Sequence, residues 1–165
     1  MSTGDKFRAT LDRPATQHER DIIRSLLEHG DPQYLQLASQ IESLRVVSKC
    51  TCGCPTIDFA LEGDPPSRKG ARLISDFVAT VDDQDVGVLL FENDGKLSSL
   101  EVYSFAGSVK PCGLPKVDTV APCLWEDSPS GQGRLLTNAT LRKSSQGKEV
   151  HRADDAKDLF KKLGI

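Results

Sequence analysis

The sequence predicts an α+β fold: two N-terminal helices packed on an antiparallel sheet of four or five strands, with a C-terminal amphipathic helix. Three observations predict it. A Thr-x-x-Glu signature opens an apolar helical stripe near the N-terminus, and two β-rich runs flank an Asn-Asp-Gly turn near the middle. A second short helical stripe closes the chain.

The first helix spans Thr16 to about His29. Thr16 and Glu19 form a capping box, each side chain satisfying a free backbone N–H, and Ile22, Ile23, Leu26 and Leu27 recur on one stripe. Gly30 reads as a left-handed stop. Asp31-Pro32 then caps and starts a second helix, whose stripe is Tyr34, Leu35, Leu37, Ala38, Ile41 and Leu44. Strands follow over Arg45 to Thr51 and Thr56 to Glu62. The even positions Val46, Cys50, Cys52 and Cys54 give way to the odd positions Ile57, Phe59 and Leu61, which implies a turn or bulge near Gly53-Cys54-Pro55. Ala71 to Val81 alternates only partly. The plainest sheet signal is Val86 to Phe91 and Leu97 to Phe105, joined by a hairpin turn in which Gly95 takes positive φ.

After Gly107 the chain is rich in Pro and Gly as far as Trp125. The expected organisation is a single α+β domain over 1–125, a polar and locally basic linker over 126–152, and a short amphipathic helix over 153–165. That helix places Ala153, Ala156, Leu159, Phe160 and Leu163 on one stripe.

Composition narrows the function classes. The chain has 165 residues with 38% hydrophobic residues, 13 glycines and a formal net charge of −3. This is enough apolar material for a core, and no global basic field favours nucleic acid or an anionic membrane. The longest apolar run, Val86 to Phe91, is far shorter than the ~20 residues of a membrane helix. No secretory signal opens the sequence, so a cytoplasmic location is expected. The five cysteines are then reduced thiols and not a disulfide framework.

Taken together, Cys50-Thr51-Cys52-Gly53-Cys54-Pro55-Thr56, Gly87 to Phe91 and Asp94 to Tyr103 resemble an uncharacterised bacterial family. Its members share an acidic-Arg pair like Glu19-Arg20, a C-x-C-G-C-P segment and an L-E-V-Y-like strand. The resemblance spans roughly 13–122 and implies no activity and no catalytic residue. The hairpin is also similar to strands of small bacterial immunity proteins. Gly147-Lys148 with Ala153 to Gly164 resembles the C-terminal tail of RelB/DinJ-type antitoxins, although the ribbon-helix-helix N-terminus of that family is missing.

Cys50, Cys52 and Cys54 are the candidate metal ligands, with zinc as the alternative cofactor to none. Thiolates suit zinc or Cu(I), but C-x-C-x-C is not the C-x2-C spacing of a closed zinc site, and a fourth ligand would have to come from Cys112, Cys123 or a histidine. Packing of small side chains beside Gly53 and Pro55 is the preferred reading, ahead of metal and of a redox thiol. His18, His29 and His151 show no triad spacing, and Asp82, Asp83 and Asp85 read as a solvated turn. Glu101 and Tyr103 are a possible groove rim on the Leu97 to Phe105 strand. Arg134, Arg142, Lys143, Lys148 and Arg152 form a basic stretch without an aromatic residue to stack on bases, so it reads as a solvated linker. The function expected from these features is a small cytosolic bacterial protein-binding module without catalytic machinery, docking another protein through Leu159, Phe160 and Leu163. The alternative is a metal-dependent or thiol-redox protein using the cysteine segment.

Overall fold

An edge strand, and not a helix, opens the fold. In the computed structural model, which describes residues 7–65, 70–105, 113–122, 124–126 and 134–136, strand β1 covers Arg8–Pro14 and is followed by α1 (Gln17–Glu28). The capping box forms as expected: Thr16 Oγ1 accepts from Glu19 N at 3.3 Å and Thr16 N donates to Glu19 Oε2 at 2.7 Å. The buried Glu19 carboxylate also takes both Nη atoms of Arg13, at 2.7 and 2.8 Å, which ties the end of β1 to the start of α1. Burial pushes this carboxyl up, but the bonds from Arg13 and Thr16 outweigh it and hold it below the usual carboxylate range.

The second predicted helix is a 3-10 helix over Pro32–Ser43, capped by Asp31, which accepts from Gln33 N at 3.0 Å. Such long 3-10 runs are uncommon. Leu37 and Ile41 are buried in the core, Leu35 is exposed, and Gln40 anchors the run by donating to Gly95 O and accepting from Leu97 N. The connection before it differs too. Gly30 is not at positive φ; a Cβ there would lie 2.6 Å from Leu26 O and 2.9 Å from Ser75 Oγ, so glycine is needed for the close approach of Leu26 and Ser75.

The remaining strands are β2 (Leu44–Cys50), β3 (Ile57–Leu61), β4 (Arg72–Val81), β5 (Gln84–Asn93), β6 (Lys96–Ser104) and β7 (Ala121–Pro122). With β1 they make one seven-stranded sheet in the order β1-β2-β3-β6-β5-β4-β7, antiparallel throughout. A separate pair joins β8 (Leu124–Glu126) to β9 (Arg134–Leu136).

The expected sheet of four or five strands with three helices is therefore corrected. Among the described residues a single seven-stranded sheet dominates, with one α-helix, the long 3-10 run and a short 3-10 turn at Val117–Thr119. Strand β1 escapes a pattern reading because it is an edge: it is largely polar, ends in Pro14, and shifts register against β2 between Thr10 and Arg13. A register shift between Leu73 and Ser75 likewise breaks the alternation of β4. The two residues of β7 are too few for any periodic signal. The predicted C-terminal helix lies outside the described residues.

One face of the sheet holds the core. Ile22, Ile23, Leu26 and Leu27 of α1 pack with Val46, Phe59, Phe77, Val86, Val88, Leu90, Leu100 and Val102. The Arg20 and Arg24 guanidinium groups clamp α1 to the 3-10 run through Glu42, at 3.1 and 3.0 Å. Beyond the sheet order, this packing leaves the β2–β3 turn at one end of the sheet, away from the contact of the 3-10 run with the β5–β6 turn.

Candidate functional site

The β2–β3 turn carries the three cysteines. Its base is closed by Cys50 N donating to Thr56 O at 2.9 Å, and its shoulder by Thr51 N donating to Phe7 O at 2.9 Å. Thr56 anchors the base to β6: its hydroxyl accepts from Val102 N at 3.1 Å and donates to Val102 O at 3.4 Å. Gly53 takes φ +94°, a conformation L side chains rarely adopt, and Pro55 contributes no N–H to the loop. These constraints fold the loop back on itself.

The result is a sulfur cluster. The three Sγ atoms lie within 4.8 Å of one another, Cys50 Sγ sits 3.0 Å from Cys52 Sγ, and Cys54 N donates to Cys52 Sγ at 3.4 Å. Cys52 is exposed while Cys50 and Cys54 are half-buried. The expected packing role is thereby corrected, because none of the three belongs to the core cluster. So is the shared strand face. Val46 pairs with Phe59 on the core face, but a register shift after Val46 pairs Ser48 with Asp58, so Ser48 and Cys50 point to the opposite face. Cys52 and Cys54 lie in the turn itself.

The thiols differ in chemistry as well as in exposure. Burial, followed by its hydrogen bond to Cys52, pushes the Cys50 thiol up to about 11. The Cys50 hydrogen bond, followed by the Cys54 backbone N–H, brings Cys52 down to about 7. The hydrogen bond between the two sulfurs thus pushes the Cys50 and Cys52 thiols in opposite directions.

Beside the turn, Arg8 stands opposite Cys50 in the β1–β2 register. Its side chain is only 15% exposed, with Nε 3.6 Å from Asp58 Oδ2 and Nη2 3.8 Å from Glu101 Oε1, and the Ser48 hydroxyl donates to Asp58. Sequence reasoning missed Arg8 and Asp58. The available signal was a carboxylate inside the otherwise apolar Ile57–Leu61 strand, which calls for a buried cationic partner.

The other predicted residues fall elsewhere. Glu101 pairs with Arg8, whereas Tyr103 lies against Gly87, where a Cβ would come within 2.2 Å of its ring, and meets Phe105 edge-on at 5.3 Å between centroids. His18 on α1 and His29 at its C-cap are exposed. Asp82 and Asp83, both at positive φ, are the two central residues of the β4–β5 turn. A cavity of about 170 Å³ at the other end of the sheet is lined by Leu61, Asp64, Asn93, Lys96 and Ser98, and its Lys96 is engaged by Asp64 at 2.7 Å. Leu159, Phe160, Leu163, His151, Cys112 and Cys123 lie outside the described residues. Among the described residues no other group of three His, Cys, Asp or Glu side chains has its ligand atoms within metal-binding reach, and no helix is long and apolar enough to cross a membrane. No family model, curated protein or solved structure matches the chain.

Proposed function

We propose that the chain is a thiol-based module that binds a soft, thiophilic cation at Cys50, Cys52 and Cys54, with monovalent copper as the favoured ion. The observation that carries this reading is the mutual approach of all three sulfurs within 4.8 Å on an accessible turn. Three thiolates at about 2.3 Å from one ion lie about 4 Å apart, so the cluster needs only small side-chain adjustments to close on a cation. Structural zinc takes four protein ligands, whereas a soft monovalent ion accepts a thiolate set without a fourth, and the turn offers three. The Cys54 N–H on Cys52 Sγ supports the reading further, since hydrogen bonds to a ligating atom orient it. Cys52, already near half ionisation at pH 7, gives up little to bind; Cys50 must release a proton, so affinity rises with pH.

Titration of the reduced protein with Cu(I) against a competing chelator tests this. One equivalent should bind with thiolate-to-metal absorption, and a Cys112→Ser/Cys123→Ser variant should keep it. Cys52→Ser should weaken binding by more than the roughly 10–100-fold that losing a ligand's hydrogen-bond partner costs. Binding unchanged in Cys50→Ser, Cys52→Ser and Cys54→Ser alike overturns the reading, and preference for zinc over Cu(I) overturns the choice of ion. The other reading of the chain, a protein-binding module acting through Leu159, Phe160 and Leu163, rests on residues outside those described, and the geometry adds no support to it.

A further inference from the structure

We infer that Cys52 and Cys50 form a thiol–disulfide exchange couple, in which Cys52 attacks a small aliphatic disulfide of the glutathione type and Cys50 resolves the adduct. The inference goes beyond cation binding and does not depend on it. It stands on the arrangement of two sulfurs of unequal exposure.

Cys52 is the outermost of the three and the accessible one, at the tip of a turn held by Gly53. Cys50 is half-buried at the end of β2, its backbone fixed by the bond to Thr56 and by pairing with Arg8. Their sulfurs are 3.0 Å apart, and a covalent S–S bond of about 2.05 Å requires only a further approach of about 1 Å between a side chain at the strand end and one on the turn. Cys54 holds Cys52 Sγ through its backbone N–H and so steadies the nucleophile next to its resolving partner. A small disulfide can reach Cys52, and once Cys52 is capped, the Cys50 thiol already stands beside its sulfur.

The chemistry balances as two exchanges. The Cys52 thiolate attacks one sulfur of the disulfide, forming a mixed disulfide as the original S–S bond breaks and the first thiolate leaves with the electron pair, to be protonated by solvent. Cys50 then gives its proton to water and attacks Cys52 Sγ, forming the Cys50–Cys52 bond and expelling the second thiolate. The protein dithiol is oxidised by two electrons and the small disulfide is reduced to two thiols.

Oxidised glutathione, added to the reduced full-length protein at pH 7 with a metal chelator present, tests this. Cleavage after Lys49 and Arg68 releases peptide 50–68, which contains all three cysteines of the turn. The expected product has lost two hydrogens, with Cys54 the residue still free to be alkylated. Cys50→Ser should stop with one glutathione on Cys52, Cys52→Ser should leave the turn without the rapid adduct, and Cys54→Ser should still close. Circular dichroism confirms that each variant keeps the fold. A wild-type chain that halts at the mixed disulfide overturns the inference, and so does a bond from Cys54 to either neighbour or from Cys52 to Cys112 or Cys123. Because the chelator removes any ion, this result and the Cu(I) titration fail or succeed separately.

Discussion

The β5–β6 and β2–β3 turns each reverse an antiparallel connection through a glycine at positive φ, but they are held in opposite ways. Asp94 and Gly95, at φ +49° and +75°, form a two-residue turn whose twist suits the strands it joins. Side chains from outside then lock it. Gly95 N donates to the buried Glu92 carboxylate at 2.8 Å, and Gln40 of the 3-10 run donates to Gly95 O at 2.8 Å while accepting from Leu97 N at 3.0 Å. The β2–β3 turn has five residues between Cys50 and Thr56, and beyond the two bonds at its base and shoulder it is organised by its own sulfurs. One turn spends its polar groups on the fold. The other leaves its reactive groups outward, where their chemistry can change without disturbing the core. Stability and reactivity are therefore expected to separate along the sheet.

The core between the two turns sets the largest effect. Leu100 is fully buried on β6 and pairs with Ile57, the first residue of β3, so Leu100→Ala should cost about 2–5 kcal/mol in urea unfolding. A loss below 1 kcal/mol would mean that the sheet is not the stabilising unit and would break the comparison at its base.

At the locked turn, Glu92→Ala leaves Gly95 N and Arg72 without their acceptor and should cost about 1–3 kcal/mol. The pH dependence adds a sharper signature. Burial pushes the Glu92 carboxyl up, but Arg72 and Gly95 N–H push it further down, leaving it below the ordinary value. A depressed carboxylate contributes stability above its unfolded pKa, and that contribution is lost as pH falls through the folded value. Wild type should thus lose stability in acid, and Glu92→Ala should lose less of it over the same range.

At the cysteine turn the effect on stability is the smallest. Cys52→Ser should change unfolding free energy by no more than about 0.5 kcal/mol, because the side chain is exposed and outside the core. Alkylation of Cys52 by iodoacetamide should instead rise with pH and reach half its plateau near 7, whereas Cys50, at about 11, should react far more slowly across that range. Equal rates at the two thiols, or a large stability loss in Cys52→Ser, would erase the contrast between the turns.

Local chemistry was the legible part of this sequence. Thr16 and Glu19 needed only their spacing of three to announce a helix start, and the capping box formed. Asp94-Gly95 between two β-rich runs announced a hairpin, and Gly95 sits at the positive φ its turn requires. Gly30 misled because the same residue type serves two purposes: here the approach of Leu26 and Ser75, and not a left-handed stop, demands it. The long 3-10 run was unreadable for a related reason. Buried residues such as Leu37 and Ile41 fit either helix type, so the apolar pattern does not choose between them, and the bonds from Gln40 to the β5–β6 turn join residues about 55 positions apart.

By itself, the sequence determined which short segments turn, start and pair, and it singled out Cys50, Cys52 and Cys54 as the chemically distinctive segment. Tertiary structure alone decided where those sulfurs point. A strand's faces alternate with strict period two, so each assignment depends on every residue before it, and the single register shift after Val46 carries Ser48 and Cys50 from the core side to the other. The same dependence on partners explains β1, whose polar sequence becomes a strand only because β2 supplies its hydrogen bonds. It also explains the Arg8–Asp58 and Arg8–Glu101 ion pairs, which join residues 50 and 93 positions apart that no local pattern relates. Periodicity reports what a segment prefers, whereas register and burial are set by the neighbours it finally meets.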